Sequence, residues 1–206
     1  MLFAVGATLF ALGSAPGYAT TVGSGADALT LFIGSVFFTS AAFLQYLEAV
    51  NAQGAAPLSS QRGRFRILAW EPRNLSWWSS LVQLAGTLYF NISTLEATRR
   101  NLSVPQVNHL VWKPDAIGSI CFLVASSLAW WELVHAFWSW RPRSLSWWIV
   151  ALNLLGSIAF GVSAVASFVV PTTGNPVNIA LVNLGTFVGA LCFLAGAVLL
   201  LPERTL

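Results

Sequence analysis

The chain has 206 residues, of which 56% are hydrophobic and only 8% charged, and its mean hydropathy is +0.72. Soluble domains carry about 25% charged residues, so ten basic and seven acidic side chains cannot clothe a water-facing surface of this size. The composition excludes a disordered segment, a disulfide-rich scaffold, a coiled coil and an ordinary cytosolic enzyme, and points to an all-α protein with lipid as its solvent.

A hydrocarbon core takes about 20 mostly apolar residues per helix, and the gaps between charges place the spans. Residues 1–26 carry no charge, and further uncharged runs lie between Asp27 and Glu48, between Arg73 and Glu96, and between Asp115 and Glu132. The long gap from Arg143 to Glu203 is divided by the turn-forming run PTTGNPVN and reads as two helices. Six spans follow, near 2–19, 28–49, 76–97, 115–137, 146–170 and 178–201. The first also suits a secretory signal ending at Gly17-Tyr18-Ala19. It lacks the basic leader and carries the repeat described next, so it reads as a retained span.

Each span contains a glycine followed by a small or hydroxylated residue, usually with phenylalanine four places on: GATLF at Gly6, GSVFF at Gly34, GTLYF at Gly86, GSICF at Gly118 and GSIAF at Gly156. The sixth reads as GTFVG, from Gly185 to Gly189. WEPRNLSWW from Trp70 and WRPRSLSWW from Trp140 agree at seven of nine positions, which marks an internal duplication. The expected architecture is six transmembrane helices arranged as three parallel-repeated hairpins, 1–50, 70–137 and 140–202, with a cytoplasmic loop 51–69, all in one transmembrane domain.

Small residues at one level of every helix let backbones approach, the main source of helix association in lipid. Gly6, Gly34, Gly86, Gly118, Gly156, Gly185 and Gly189 are therefore read as packing positions. Gln83, Asp115, Asn153 and Asn183 stand two or three residues before a glycine. They are read as intramembrane polar glue, each contributing about 0.6–2 kcal/mol.

With both termini inside, the cytoplasmic loops hold seven Lys and Arg (Arg62, Arg64, Arg66, Arg73, Arg141, Arg143, Arg204) against three outside (Arg99, Arg100, Lys113). The excess sets a multi-pass orientation with N- and C-termini in the cytoplasm. Nine of the ten tryptophans fall at the same helix ends, where indoles suit the headgroup level. Arg62, Arg64 and Arg66 beside the bilayer fit anionic lipid, without nucleic acid as a partner.

Glu48 and Glu132 near helix C-termini are disfavoured by the helix dipole, and Arg73 and Arg143 of the Pro-Arg segments are the expected interfacial partners. The sharper alternative makes the two acids proton or cation sites. Asp115, after Trp112-Lys113-Pro114, reads as the N-terminal cap of its span. His109 and His135 have no acid or cysteine at metal-ligand spacing, and Cys121 and Cys192 inside spans read as reduced, buried, apolar residues. No catalytic signature, metal site or cofactor motif emerges.

VQLAGTLYFNIST from Val82 and VWKPDAIGSICFLVASSLA from Val111 resemble the YrhK-like family of small bacterial membrane proteins, best over residues 70 to 170. The resemblance implies paired transmembrane helices and a bacterial plasma membrane, and carries over no catalytic residue. The expected role is structural or interactive, with lipid or another membrane protein as partner; the alternative is a small transporter or channel.

Overall fold

The computed structural model describes residues 1–52, 66–135 and 140–203. These form α1 (Leu2–Ser14), α2 (Tyr18–Val22), α3 (Ser24–Ala52), α4 (Leu75–Ala97), α5 (Val104–Gln106), a π-helical turn (Val107–Trp112), α6 (Lys113–Val134), α7 (Leu145–Ala166) and α8 (Ile179–Glu203). Among the described residues no strand forms beyond one isolated bridge, Val169 to Pro176. Arg62, Arg64, Trp138 and Arg204 lie outside the described residues.

Among the described residues four helical stretches are long and apolar enough to cross a membrane: Ser24–Ala52, Val104–Val134, Leu145–Ala166 and Ile179–Leu201. The count of six is thus met only in part. The expected first span breaks at Ser14, because Pro16 cannot continue a helix and Gly17 turns the chain at φ 85°. Its 13 residues reach only about 20 Å at 1.5 Å per residue, short of a core about 30 Å thick. Helix α4 has the length, at 23 residues, but Gln83, Asn91 and Glu96 make it less apolar.

Helix α1 and the five long helices close a ring in chain order, α1–α3–α4–α6–α7–α8 and back to α1. Neighbours run antiparallel: Ser79, Gly86 and Ser93 of α4 meet in turn Ala125 and Gly118 of α6 and Val111 of the π-helical turn that leads into it. Large apolar side chains such as Ile120, Leu155, Val165 and Leu184 stay exposed on the outside, a surface that water would not tolerate.

The glycines meet in pairs across this ring. A Cβ on Gly6, Gly86 or Gly156 would lie 2.9, 3.2 or 3.1 Å from the carbonyl oxygen of Gly34, Gly118 or Gly189. It would also lie 2.8, 3.0 or 3.0 Å from the ring of Phe38, Phe122 or Phe193. Side chains lean toward their own helix N-terminus, so phenylalanines four residues beyond each glycine, on antiparallel helices, lean over the opposite glycine. The glycine-to-phenylalanine spacing is a reciprocal knob and hole. In α8 the motif that joins the seam is Gly189-Ala-Leu-Cys-Phe193, one turn later than the expected GTFVG. Gly185 packs as well, against Ala159 and Ser163, but above the level of the glycine pairs.

The duplicated Trp-Pro-Arg segment is a helix-starting device. The Asn74 and Ser144 side chains accept from the amides of Trp77 and Trp147, while the Trp78 and Trp148 indoles donate to the carbonyls of Pro72 and Pro142 at 3.1 and 3.0 Å. Trp70, Trp77 and Trp78 pack edge to face, as do Trp140, Trp147 and Trp148.

The α6 rod starts eleven residues earlier than Asp115. Ser103 and Gln106 form its capping box, Pro105 occupies the first turn, and the helix runs on through a π-helical turn into Pro114. Proline lacks the N–H that the preceding turn needs, and the wider π turn absorbs that mismatch. Asp115 is therefore not the cap that the sequence suggests, since the amides it would serve are already inside a helix.

Candidate functional site

Six phenylalanines, one from each rod of the ring, meet on its axis: Phe10, Phe38, Phe90, Phe122, Phe160 and Phe193, each between 2% and 8% exposed. Within the glycine pairs their centroids lie 5.1–5.5 Å apart. Contacts between pairs run from 5.6 to 6.4 Å. The void left among them is about 10 Å³, at the threshold for one water. This plug separates two polar recesses.

At the tryptophan end a recess of about 380 Å³ is lined by Gln45, Glu48, Ser76, Ser79, Ser80 and Glu132 among others. Beside it a 720 Å³ groove runs between Glu71, Arg73 and Glu132. Both Glu132 oxygens accept from the Ser76 hydroxyl, at 2.7 and 2.8 Å, and among the described residues no ion pair joins Glu132 to Arg73 or Arg143. The expected arginine pairing of Glu132 is corrected accordingly. Its physical replacement is the first turn of α4, whose positive end lies beside the negative end of antiparallel α6. Glu71 of the Trp-Pro-Arg segment takes an arginine, Arg66, at 3.8 Å. Ser76→Ala is expected to cost about 1–2 kcal/mol in detergent unfolding, and Arg73→Gln close to nothing. Equal losses in the two variants would restore the arginine pairing. Glu48, Glu132 and Glu203 each stand fourteen residues after the seam glycine of their helix, a register that the offset reading of α8 concealed.

The opposite recess measures about 210 Å³, with Phe10, Phe90 and Phe160 of the plug as its floor. Asp115 lines it and faces the Ser167 hydroxyl. Ser93, Thr94, Ser163 and Thr186 add hydroxyls from three further helices or turns. The α7–α8 connection covers this end. Asn108 binds Val169 in both directions, at 2.7 and 3.0 Å, and Trp112 packs on Phe168.

No family model, curated protein or solved structure matches this chain.

The expected polar glue divides. Gln83 reaches Gln45 at 3.3 Å across α3 and α4, and the Asn153 amide packs where a Cβ on Gly196 would meet it. Asn183 is exposed and does not join the seam. The shifted α8 register explains this, because the residue three before Gly189 is Thr186, the counterpart of Asp115 before Gly118. Polar contacts that the sequence reading omits include Asn91 to Thr39 at 2.8 Å, Ser126 to Ser157 at 2.7 Å and Ser163 to Thr186 at 2.8 Å. Only Gln83 carried a signal of its own; serines and threonines are too common in such spans to stand out.

Arg99 pairs with Glu96 one turn earlier at 3.0 Å, beside a 670 Å³ pocket between residues 22–26 and 97–101. Cys121 and Cys192 are free and only partly buried. His109 is exposed on the π-helical turn, and among the described residues no group of three or more metal-ligating side chains forms.

Proposed function

We propose that this chain is a bacterial plasma-membrane protein with a structural or interaction role, built as six spans in three parallel hairpins with both termini cytoplasmic, and related to the YrhK-like family. The observation that carries the role is the phenylalanine plug. A centre filled to within about 10 Å³ offers no continuous path, so the ring behaves as a solid body whose ends and rim meet partners. The matched glycine pairs of α1–α3, α4–α6 and α7–α8 support the hairpin reading, with α1 and α4 completing the ring as the less apolar or shorter spans. The tryptophan-rich end suits the cytoplasmic headgroup level, and Arg99 and Arg100 around the opposite pocket suit an anionic lipid headgroup. The reading assigns no enzymatic activity, cofactor or nucleic-acid partner.

Purification in native lipid followed by mass spectrometry is expected to recover a specific lipid or membrane-protein partner. Recovery of only this chain and bulk lipid, at native ratios, would overturn the interaction role. A second reading, a conduit for a small solute or ion, draws on the two polar recesses that face each other across the plug. Flux into proteoliposomes holding the unaltered chain would establish it in place of the first.

A further inference from the structure

We propose that the recess above the plug is a binding site for a small primary alkylammonium ion, held by Asp115. The hydrogen-bond directions carry this. Ser93 donates its proton to the Val111 carbonyl, Thr94 to Phe90, Ser163 to Val182 and Ser167 to Ala164, at 2.7–2.9 Å. Thr186 lies 2.8 Å from Ser163, whose proton is already committed, so Thr186 donates to it. Trp112 holds the one side-chain N–H among the described lining residues and gives it to Ala164 at 2.9 Å. Every polar hydrogen of the lining side chains is thus spent on the protein itself. What remains turned to the recess is acceptor lone pairs and one carboxyl group.

A chamber of acceptors with no free donor is complementary to a ligand rich in N–H bonds. An ammonium brings three and no acceptor, and its positive charge meets Asp115, the one ionisable group among the described lining residues. The remaining walls are apolar or aromatic, including Val107, Val111, Val182 and the plug, and suit a short alkyl chain with an ammonium over a ring face. At about 210 Å³ the space is wide for a single bare ion and small beside the ~300–1,000 Å³ of drug-sized sites. Asp115 has no capping duty to explain it, because the α6 rod is capped at Ser103. An acid at this depth, without such a duty, is a functional group by default. The site needs no through-path and stands with either reading of function.

The test uses the unaltered full chain in lipid nanodiscs. Asp115 is labelled with dicyclohexylcarbodiimide and quantified by peptide mass spectrometry in ethylammonium chloride or in sodium chloride of equal ionic strength. Ethylammonium is expected to slow labelling of Asp115 severalfold relative to sodium, while leaving Glu132 unchanged. The thermal midpoint of the unaltered chain should rise with ethylammonium concentration, and that rise should vanish in Asp115→Asn and shrink in Thr186→Val. Equal protection by both salts, or a midpoint that ethylammonium does not move, would overturn the proposal. Equal midpoint shifts in the unaltered chain and Asp115→Asn would do the same.

Discussion

Gly156→Leu is expected to unfold the bundle at markedly lower denaturant, losing about 3 kcal/mol, whereas Gly161→Ala five residues along the same helix should gain up to about 1 kcal/mol. The two glycines share α7 and differ in what faces them. A Cβ at Gly156 meets Phe193 at 3.0 Å and the Gly189 carbonyl at 3.1 Å, so a leucine has nowhere to go unless α7 and α8 separate. At Gly161 nothing lies within 4 Å, and alanine there merely relieves the entropy cost of glycine in a helix. Gly156→Ala falls between them, costing about 1 kcal/mol, since the Phe193 ring can yield but the carbonyl cannot. Reversible unfolding in mixed micelles measures all three. If Gly156→Leu and Gly161→Leu lose the same amount, close approach at the glycine pair is not what holds the ring.

Helix existence was legible from charge spacing alone, because so few charges leave little freedom over where a chain enters lipid. Helix ends were less so. Pro114 looked like a boundary, yet a π turn lets the helix pass through it; Pro16 looked harmless inside an uncharged run, yet ends α1. The glycine seam was visible five times out of six. It failed at α8 because GTFVG and GALCF overlap at Gly189, and composition ranks the hydroxylated version first when only packing geometry prefers the phenylalanine. That slip carried Asn183 into the seam in place of Thr186. The pairing of Glu132 was misjudged for a different reason. Charge suggests an arginine, but the antiparallel neighbour supplies a helix N-terminus and Ser76 at closer range. The acceptor-only character of the Asp115 recess is beyond any linear reading, since it depends on which carbonyl each hydroxyl finds.

The plug gives the second large effect. Phe122 is 2% exposed and touches Phe38, Phe90 and Phe193, so truncating it removes contacts from three helices at once. Phe122→Ala and Phe122→Ser should each cost about 3–5 kcal/mol, with serine the worse because its hydroxyl enters an aromatic cavity. Their permeability should differ more than their stability. The void is bordered by the rings and by Ser35, whose hydroxyl is bonded to the Phe32 carbonyl and Thr94; an apolar void stays dry, and a dry constriction blocks ions as well as a filled one does. Alanine therefore leaves the centre closed. Serine at 122 adds a hydroxyl among the rings themselves, and with it a polar partner for water between the two recesses. Proteoliposomes with the unaltered chain or Phe122→Ala should hold a proton or ammonium gradient, and those with Phe122→Ser should dissipate it. Should Phe122→Ser stay folded yet remain tight, the two recesses are separate pockets on one solid body and the conduit reading falls. If the unaltered chain already leaks, the plug is a gate that opens, and the structural reading falls instead.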